Sequence, residues 1–172
     1  MVLISCLRVW VLGAAISAAI AFIPGAPSGT KSNIVVTPSP LVADGVTTAA
    51  VQVTLRDAYD NIVPNASLTL MASGGNTTFA AVSGASDANG QYKTTVSSTQ
   101  VQTQQISAAL AGNVTLSTSV QFVAGPPVSS NSSLTVSPAT QVANNSSDIV
   151  ATLTLRDSLM HPVATAGYRH LN

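Results

Sequence analysis

Few residues of this chain have acid–base, nucleophilic or metal-binding chemistry to offer. Its 172 residues include six acidic side chains, all Asp, two histidines and one cysteine. A hydrolase needs a base within reach of its nucleophile, yet His161 and His170 both fall in the C-terminal tail. Neither a G-x-S-x-G elbow nor a phosphate-cradling glycine loop occurs. Asp57, Asp60 and Asn61 crowd one stretch and bring oxygens of the kind Ca²⁺ takes. Calcium wants about six to eight such ligands, and Asp and Asn at this spacing ordinarily cap their own turn by accepting backbone N–H groups. No catalytic, cofactor-binding or metal-ligating residue is therefore assigned, and no cofactor is expected. Cys6 alone makes neither an internal disulfide nor a cysteine zinc site. Leu3-Ile4-Ser5-Cys6 has the look of an acylation box but lacks an apolar run before it. Asn65, Asn76, Asn113, Asn131, Asn144 and Asn145 each head an Asn-x-Ser/Thr triplet. In a chain so rich in Asn, Ser and Thr, such triplets arise by chance.

Composition narrows the scaffold. Formal net charge is zero and only 7% of residues are charged, so there is no basic footprint for nucleic acid. A hydrophobic fraction of 46% is too high for a disordered tail. Glu and Lys, the usual fillers of a helix's solvent face, are nearly missing, which disfavours long helices. What remains is a Thr/Val/Ser-rich β protein with an uncharged polar surface.

The chain repeats itself, and repeats decide architecture. Ile34 to Val63 aligns without gaps on Leu134 to Val163 at an offset of 100. Val36, Pro38, Val42, Ala43, Thr54, Leu55, Arg56, Asp57 and Val63 recur unchanged, and upstream Phe22, Gly25, Pro27 and Ser32 match Phe122, Gly125, Pro127 and Ser132. Four segments follow: an apolar leader and remnant linker of a preceding repeat (1–31), a complete domain (32–124), a Pro/Ser linker (125–131) and a truncated second repeat (132–172). Pro126-Pro127 predicts a stiff, extended linker. The recurring Arg-Asp pair predicts a surface ion pair or turn clasp worth at most about 1 kcal/mol.

Within 32–124 the apolar period is two, as half-buried strands require. Val51, Val53 and Leu55 alternate with polar residues, as do Leu68 and Leu70, Ile106 to Leu110, and Leu116 to Phe122. Asp44-Gly45, Asp57 to Asn61, Gly74 to Asn76, Asp87 to Gly90 and Gly112-Asn113 supply turns. About seven short strands in such a span predict an all-β, antiparallel, Ig-like sandwich. Phe79, Tyr92 and Phe122 are its expected largest core members. Pro38 and Pro40 are expected in an edge strand. The second repeat, with its first two strands only, is expected to expose Ile149, Ala151, Leu153 and Leu155 and to be loosely ordered over 125–172, because a lone strand pair is marginal in water.

Val9 to Ile23 is apolar behind Arg8, too short for a bilayer span of about 20 residues. It reads as a signal-like leader, with Ala19-Ile20-Ala21 as an A-x-A cleavage site.

The blocks Val35-Val36-Thr37-Pro38, Val42-Ala43-Asp44-Gly45, Val53-Thr54-Leu55-Arg56-Asp57 and Asp87-Ala88-Asn89-Gly90 resemble, in order and spacing, the bacterial Ig-like domain of group 1. That is the repeat of intimin- and invasin-type adhesins, the inverse autotransporters. The resemblance implies stacked sandwiches forming a rod on the outside of the outer membrane, with neighbouring repeats as partners and a host receptor bound by distal domains. Receptor-binding residues are not carried over, because no cap resembling those domains occurs in these residues. The expected function is a non-catalytic spacer in a surface adhesin. Two alternatives stay open: a domain that itself binds a receptor or glycan through Gly74 to Thr78 or Ser97 to Gln105, and an accessory domain of a secreted polysaccharide-processing enzyme.

Overall fold

The computed structural model describes residues 4–11, 14–143 and 148–164. Asn144, Asn145 and His170 lie outside the described residues. The strands are β1 (Ile4–Val11), β2 (Ala14–Ala21), β3 (Asn33–Thr37), β4 (Leu41–Val42), β5 (Ala49–Thr54), β6 (Ser67–Ala72), β7 (Thr77–Phe79), β8 (Ser83–Ala85), β9 (Gln91–Ser98), β10 (Thr103–Leu110), β11 (Val114–Val123), β12 (Ser133–Ser137) and β13 (Val150–Thr154). No helix among the described residues is long and apolar enough to cross a membrane.

The complete repeat is an Ig-like sandwich. One sheet runs β3-β5-β9-β7 and the other β4-β11-β10-β6-β8. Sequence alternation becomes burial alternation: Ala49, Val51 and Val53 of β5 are buried, whereas Ala50 is exposed and Gln52 and Thr54 are half-buried. Inward residues of both sheets share one core, with Ile34, Val51, Val53 and Leu55 on one side and Leu70, Ile106, Val120 and Phe122 on the other.

Two expectations need correction, and one burial was not foreseen. Pro38 and Pro40 lie between strands rather than within one. Lacking N–H groups, they interrupt the ladder, and the chain crosses there from β3 in one sheet to β4 in the other. Phe79 is half-buried at the margin of the core, because β7 is the edge of its sheet. Gln104, an unremarkable polar residue in sequence, is 1% exposed. Burial is tolerated because its polar atoms are matched: Oε1 accepts from the Thr77 hydroxyl and Nε2 donates to Ser98 Oγ at 3.4 Å.

The offset of 100 survives in three dimensions. β3 pairs β5 antiparallel with Ile34 opposite Val53, and β12 pairs β13 with Leu134 opposite Leu153. What differs is the cover. Val53 is 0% exposed, Leu153 53% and Leu134 65%; Ile149 and Ala151 are exposed as expected, and Leu155 is half-buried. Upstream, β1 and β2 pair antiparallel with Val11 opposite Ala14 and Leu7 opposite Ala18. β10 and β11 also pair antiparallel, with Leu110 opposite Val114 and Ile106 opposite Thr118, one residue out of step with β1 and β2 at the offset of 100. β2 starts 100 residues before β11, and the connection that precedes it is one residue shorter in sequence (12–13 against 111–113).

Identical residues in covered and uncovered copies give a direct test. Leu55→Ala removes a fully buried side chain and should lower stability by about 3 kcal/mol in urea unfolding. Leu155→Ala removes the same side chain where it is half-buried and should cost less than about 1 kcal/mol.

Candidate functional site at the junction between repeats

The recurring Leu-Arg-Asp block follows β5 and ends in a tight turn. Asp60 at φ 70° gives the turn its left-handed residue, as Met160 does at φ 68° in the next repeat. Asp57 N–H donates to Asn61 O at 3.0 Å and Asp60 N–H to Asp57 O at 3.1 Å. The Asp57 side chain, 2% exposed, is saturated with donors. Oδ1 accepts the N–H groups of Tyr59 and Asn61, each at 2.9 Å. Oδ2 accepts Asn61 Nδ2 at 3.0 Å and the Gly25 N–H at 2.9 Å. The Asn61 amide, followed by the Gly25 N–H, holds this carboxyl at about 2, well below its ordinary 3.8.

Gly25 belongs to the linker before the sandwich, so the turn reaches back across 32 residues. Arg56 O is a second anchor, accepting from Ser28 N–H at 2.7 Å and from the Ser32 hydroxyl at 3.1 Å. Arg56 N–H returns a bond to Ser32 Oγ at 3.0 Å. The linker is therefore wrapped on Arg56-Asp57.

The second junction repeats this at the offset. Gly125 N–H donates to Asp157 Oδ2 at 2.9 Å, Val128 N–H to Arg156 O at 2.9 Å, and Arg156 N–H to Ser132 Oγ at 3.1 Å. His161 replaces Asn61, with Nδ1 2.9 Å from Asp157 Oδ2. Burial pushes the Asp157 carboxyl up, but the Gly125 N–H and the His161 contacts outweigh it and leave it at about 2. A Cβ at Gly125 would sit 3.2 Å from Val42 Cγ1, which would have to give by a few tenths of an ångström, whereas at Gly25 the nearest atom, Asp57 Oδ2, would be 3.7 Å away.

Of the two readings of the recurring Arg-Asp pair, the turn clasp holds, while the Arg-Asp ion pair and the extended linker need correction. Arg56 does not pair with Asp57. Its guanidinium donates to Asp60 O at 2.8 Å and stands 3.7 Å from the exposed Asp60 carboxylate, while Asp57 turns inward. The linker is not simply extended: after Pro126-Pro127 it folds into a 3₁₀ turn, Ser129–Asn131, and Asn131 Nδ2 donates to Asp157 O at 2.7 Å. The signal for this docking was present in the recurrence of Gly25 and Ser32 as Gly125 and Ser132, but not its partners.

Asp57, Asp60 and Asn61 do not converge on a metal. The Asp57 oxygens are taken by turn and linker donors, the Asp60 carboxylate stands exposed beside Arg56, and among the described residues no group of three His, Cys, Asp or Glu side chains comes together. The proposed binding loops are partly ladder: Thr77 and Thr78 are in β7, Ser97 and Ser98 end β9, and Thr103 to Gln105 open β10. Asn65, Asn76 and Asn113 take φ of 56°, 57° and 59°, so turn geometry accounts for asparagine there. A cleft of about 450 Å³ lies between Gln102, Phe122, Val123 and Pro162, Val163 at the second junction, and no titratable side chain lines it.

Arg56→Ala should cost at most about 1 kcal/mol in urea unfolding, the ordinary value of an exposed pair. Asp57→Ala leaves several turn N–H groups without their acceptor and should cost clearly more. Because the folded carboxyls sit below their unfolded value, the clasp's stability is full above about pH 4 and lost as pH falls toward 2. Urea midpoints should hold level from pH 7 to 5 and drop below pH 4. Asp57→Asn should flatten that acid limb.

A family model described as "Bacterial Ig-like domain (group 1)" matches residues 31–123. No curated protein sequence matches the chain. Among solved structures, invasin, titled a bacterial integrin-binding protein, superposes with TM-score 0.78 at 21% identity, covering 95% of this chain and 34% of that one. Yersinia pseudotuberculosis InvD gives 0.70 at 22% identity, covering 94% of this chain and 52% of that one. FdeC, an Escherichia coli adhesin, gives 0.66 at 20% identity, with 93% and 52% covered. The chain thus spans between about a third and about half of these relatives, and at such identities the likeness is one of fold. With the family model covering the whole sandwich, the chain belongs to the bacterial Ig-like domain (group 1) family.

Proposed function

We propose that this chain is a spacer segment of a cell-surface adhesin, a rod of stacked sandwiches that holds a binding domain away from the cell and performs no reaction itself. The carrying observation is the junction clasp, built twice with the same atoms at Gly25–Asp57 and Gly125–Asp157. A protein whose function is reach must fix the angle between successive domains. A linker hydrogen-bonded to the next domain does this better than a free one. The linkers enter and leave the complete sandwich at opposite poles. Asn33 pairs with Thr54 at the entry end, and β4 pairs with the end of β11 at the exit. Adhesin structures superpose over nearly all of this chain, which supports the reading. Exposure on the outer face of an outer membrane, beside neighbouring repeats, is part of the same proposal.

A spacer has no ligand of its own. Purified chain passed over cultured epithelial cells and a glycan array should show no saturable retention. Saturable binding that survives high salt would replace this reading with that of a receptor- or glycan-binding module.

A further inference from the structure

A rod that tethers a cell carries tension, and the bonds at the two ends of this sandwich are arranged to yield in order. We propose that the junction is a tension-release element: axial load unhooks the linker from Arg56-Asp57 and lets out its folded length while the parallel β4–β11 pair keeps the sandwich closed. The use of this property rests on the spacer reading; the order of yielding does not.

The clasp is loaded one bond at a time. Its contacts follow one another along the chain: Gly25 on Asp57, Ser28 on Arg56 O, and Ser32 on Arg56. Pull on residue 24 strains the Gly25 bond first, and each bond is released before the next is reached. Length is stored there as well. Ser28 N–H and Ser32 Oγ reach the same carbonyl, at 2.7 and 3.1 Å, which places them close together. Four extended residues span about 13–14 Å. Freeing 25–32 therefore lengthens the chain by about 1–2 nm.

The sandwich is loaded differently. Tension enters β3 at the entry pole and leaves β11 at the exit pole, and β4, which continues β3, lies parallel to β11 with Leu41 beside Phe122 and Val42 beside Val123. Opposed pulls on parallel strands slide one past the other, so their bonds are strained together. Those bonds include Ala43 N–H to Val123 O at 2.8 Å and Gln121 N–H to Ser39 Oγ at 3.1 Å. β3 is likewise drawn along its own axis past β5, to which it is paired from Asn33 to Thr37. Bonds strained together resist more than bonds opened in sequence.

Single-molecule stretching of the full chain tests this, with handles at exposed Ile23→Cys and Pro126→Cys in a Cys6→Ser background. A short extension of about 1–2 nm should precede one long rupture on the order of 30 nm. Asp57→Ala combined with Ser32→Ala, which leaves only the Ser28 N–H bond to Arg56 O, should lower the force of the short event severalfold and leave the long rupture force unchanged. Moving the first handle to exposed Val46 loads β4–β11 from one end, bond by bond, and should lower the long rupture force severalfold. The proposal is overturned by a long rupture with no shorter event before it, by a short event whose force the double variant leaves unchanged, or by equal rupture forces from Ile23 and Val46. A ligand found in the retention assay would overturn the spacer reading without touching these outcomes.

Discussion

The saturated carboxylate of Asp57, and its copy at Asp157, is the constraint around which the rest of the molecule is arranged. An ionised side chain is costly to bury unless every lone pair is matched. Here the matching donors come from two places at once, the turn that follows β5 and the linker that precedes β3. One residue thereby ties the beginning of a domain to the end of its second long strand. It also orients the linker as it enters the sandwich. The turn, the linker and the angle of the junction depend on the same four acceptor positions.

Energetic division of labour follows from this. The sandwich is held by aliphatic burial between two sheets, a non-directional force that fixes compactness but not the direction of the next domain. The junction is held by hydrogen bonds, which are directional and weak singly. A protein with few charged groups has placed its best-satisfied ones where direction matters. The ion pair of Arg56 with Asp60 is exposed and serves mainly through the guanidinium's bond to the Asp60 carbonyl.

The two incomplete units show how much of an Ig-like fold is local. β12 and β13 keep the register of β3 and β5 residue for residue, although among the described residues no opposite sheet covers Leu134 and Leu153 as one covers Ile34 and Val53. Strand pairing and the clasp are thus specified within about thirty residues, from linker to turn. Burial is not: it needs β6, β10 and β11, brought from far along the chain. Parallel pairing of β4 with β11 is the longest-range of these links.

By itself the sequence determined the periodic elements. Alternation in β5, β6, β10 and β11 became burial alternation because side chains of a strand point to opposite faces. The offset of 100 carried the repeat and, through four spaced blocks, the family. Turn residues such as Asp57 and Asn61 were legible because their chemistry acts over a few positions. Only the tertiary structure decided what depends on partners distant in sequence. It set Asp57 on Gly25 rather than beside Arg56, buried Gln104 between Thr77 and Ser98, left Phe79 at an edge, and turned Pro38 to Pro40 into a crossing between sheets. The physical reason is common to all four. A pattern along the chain specifies which face a residue presents, whereas the atoms that meet that face are chosen by the packing of strands from elsewhere.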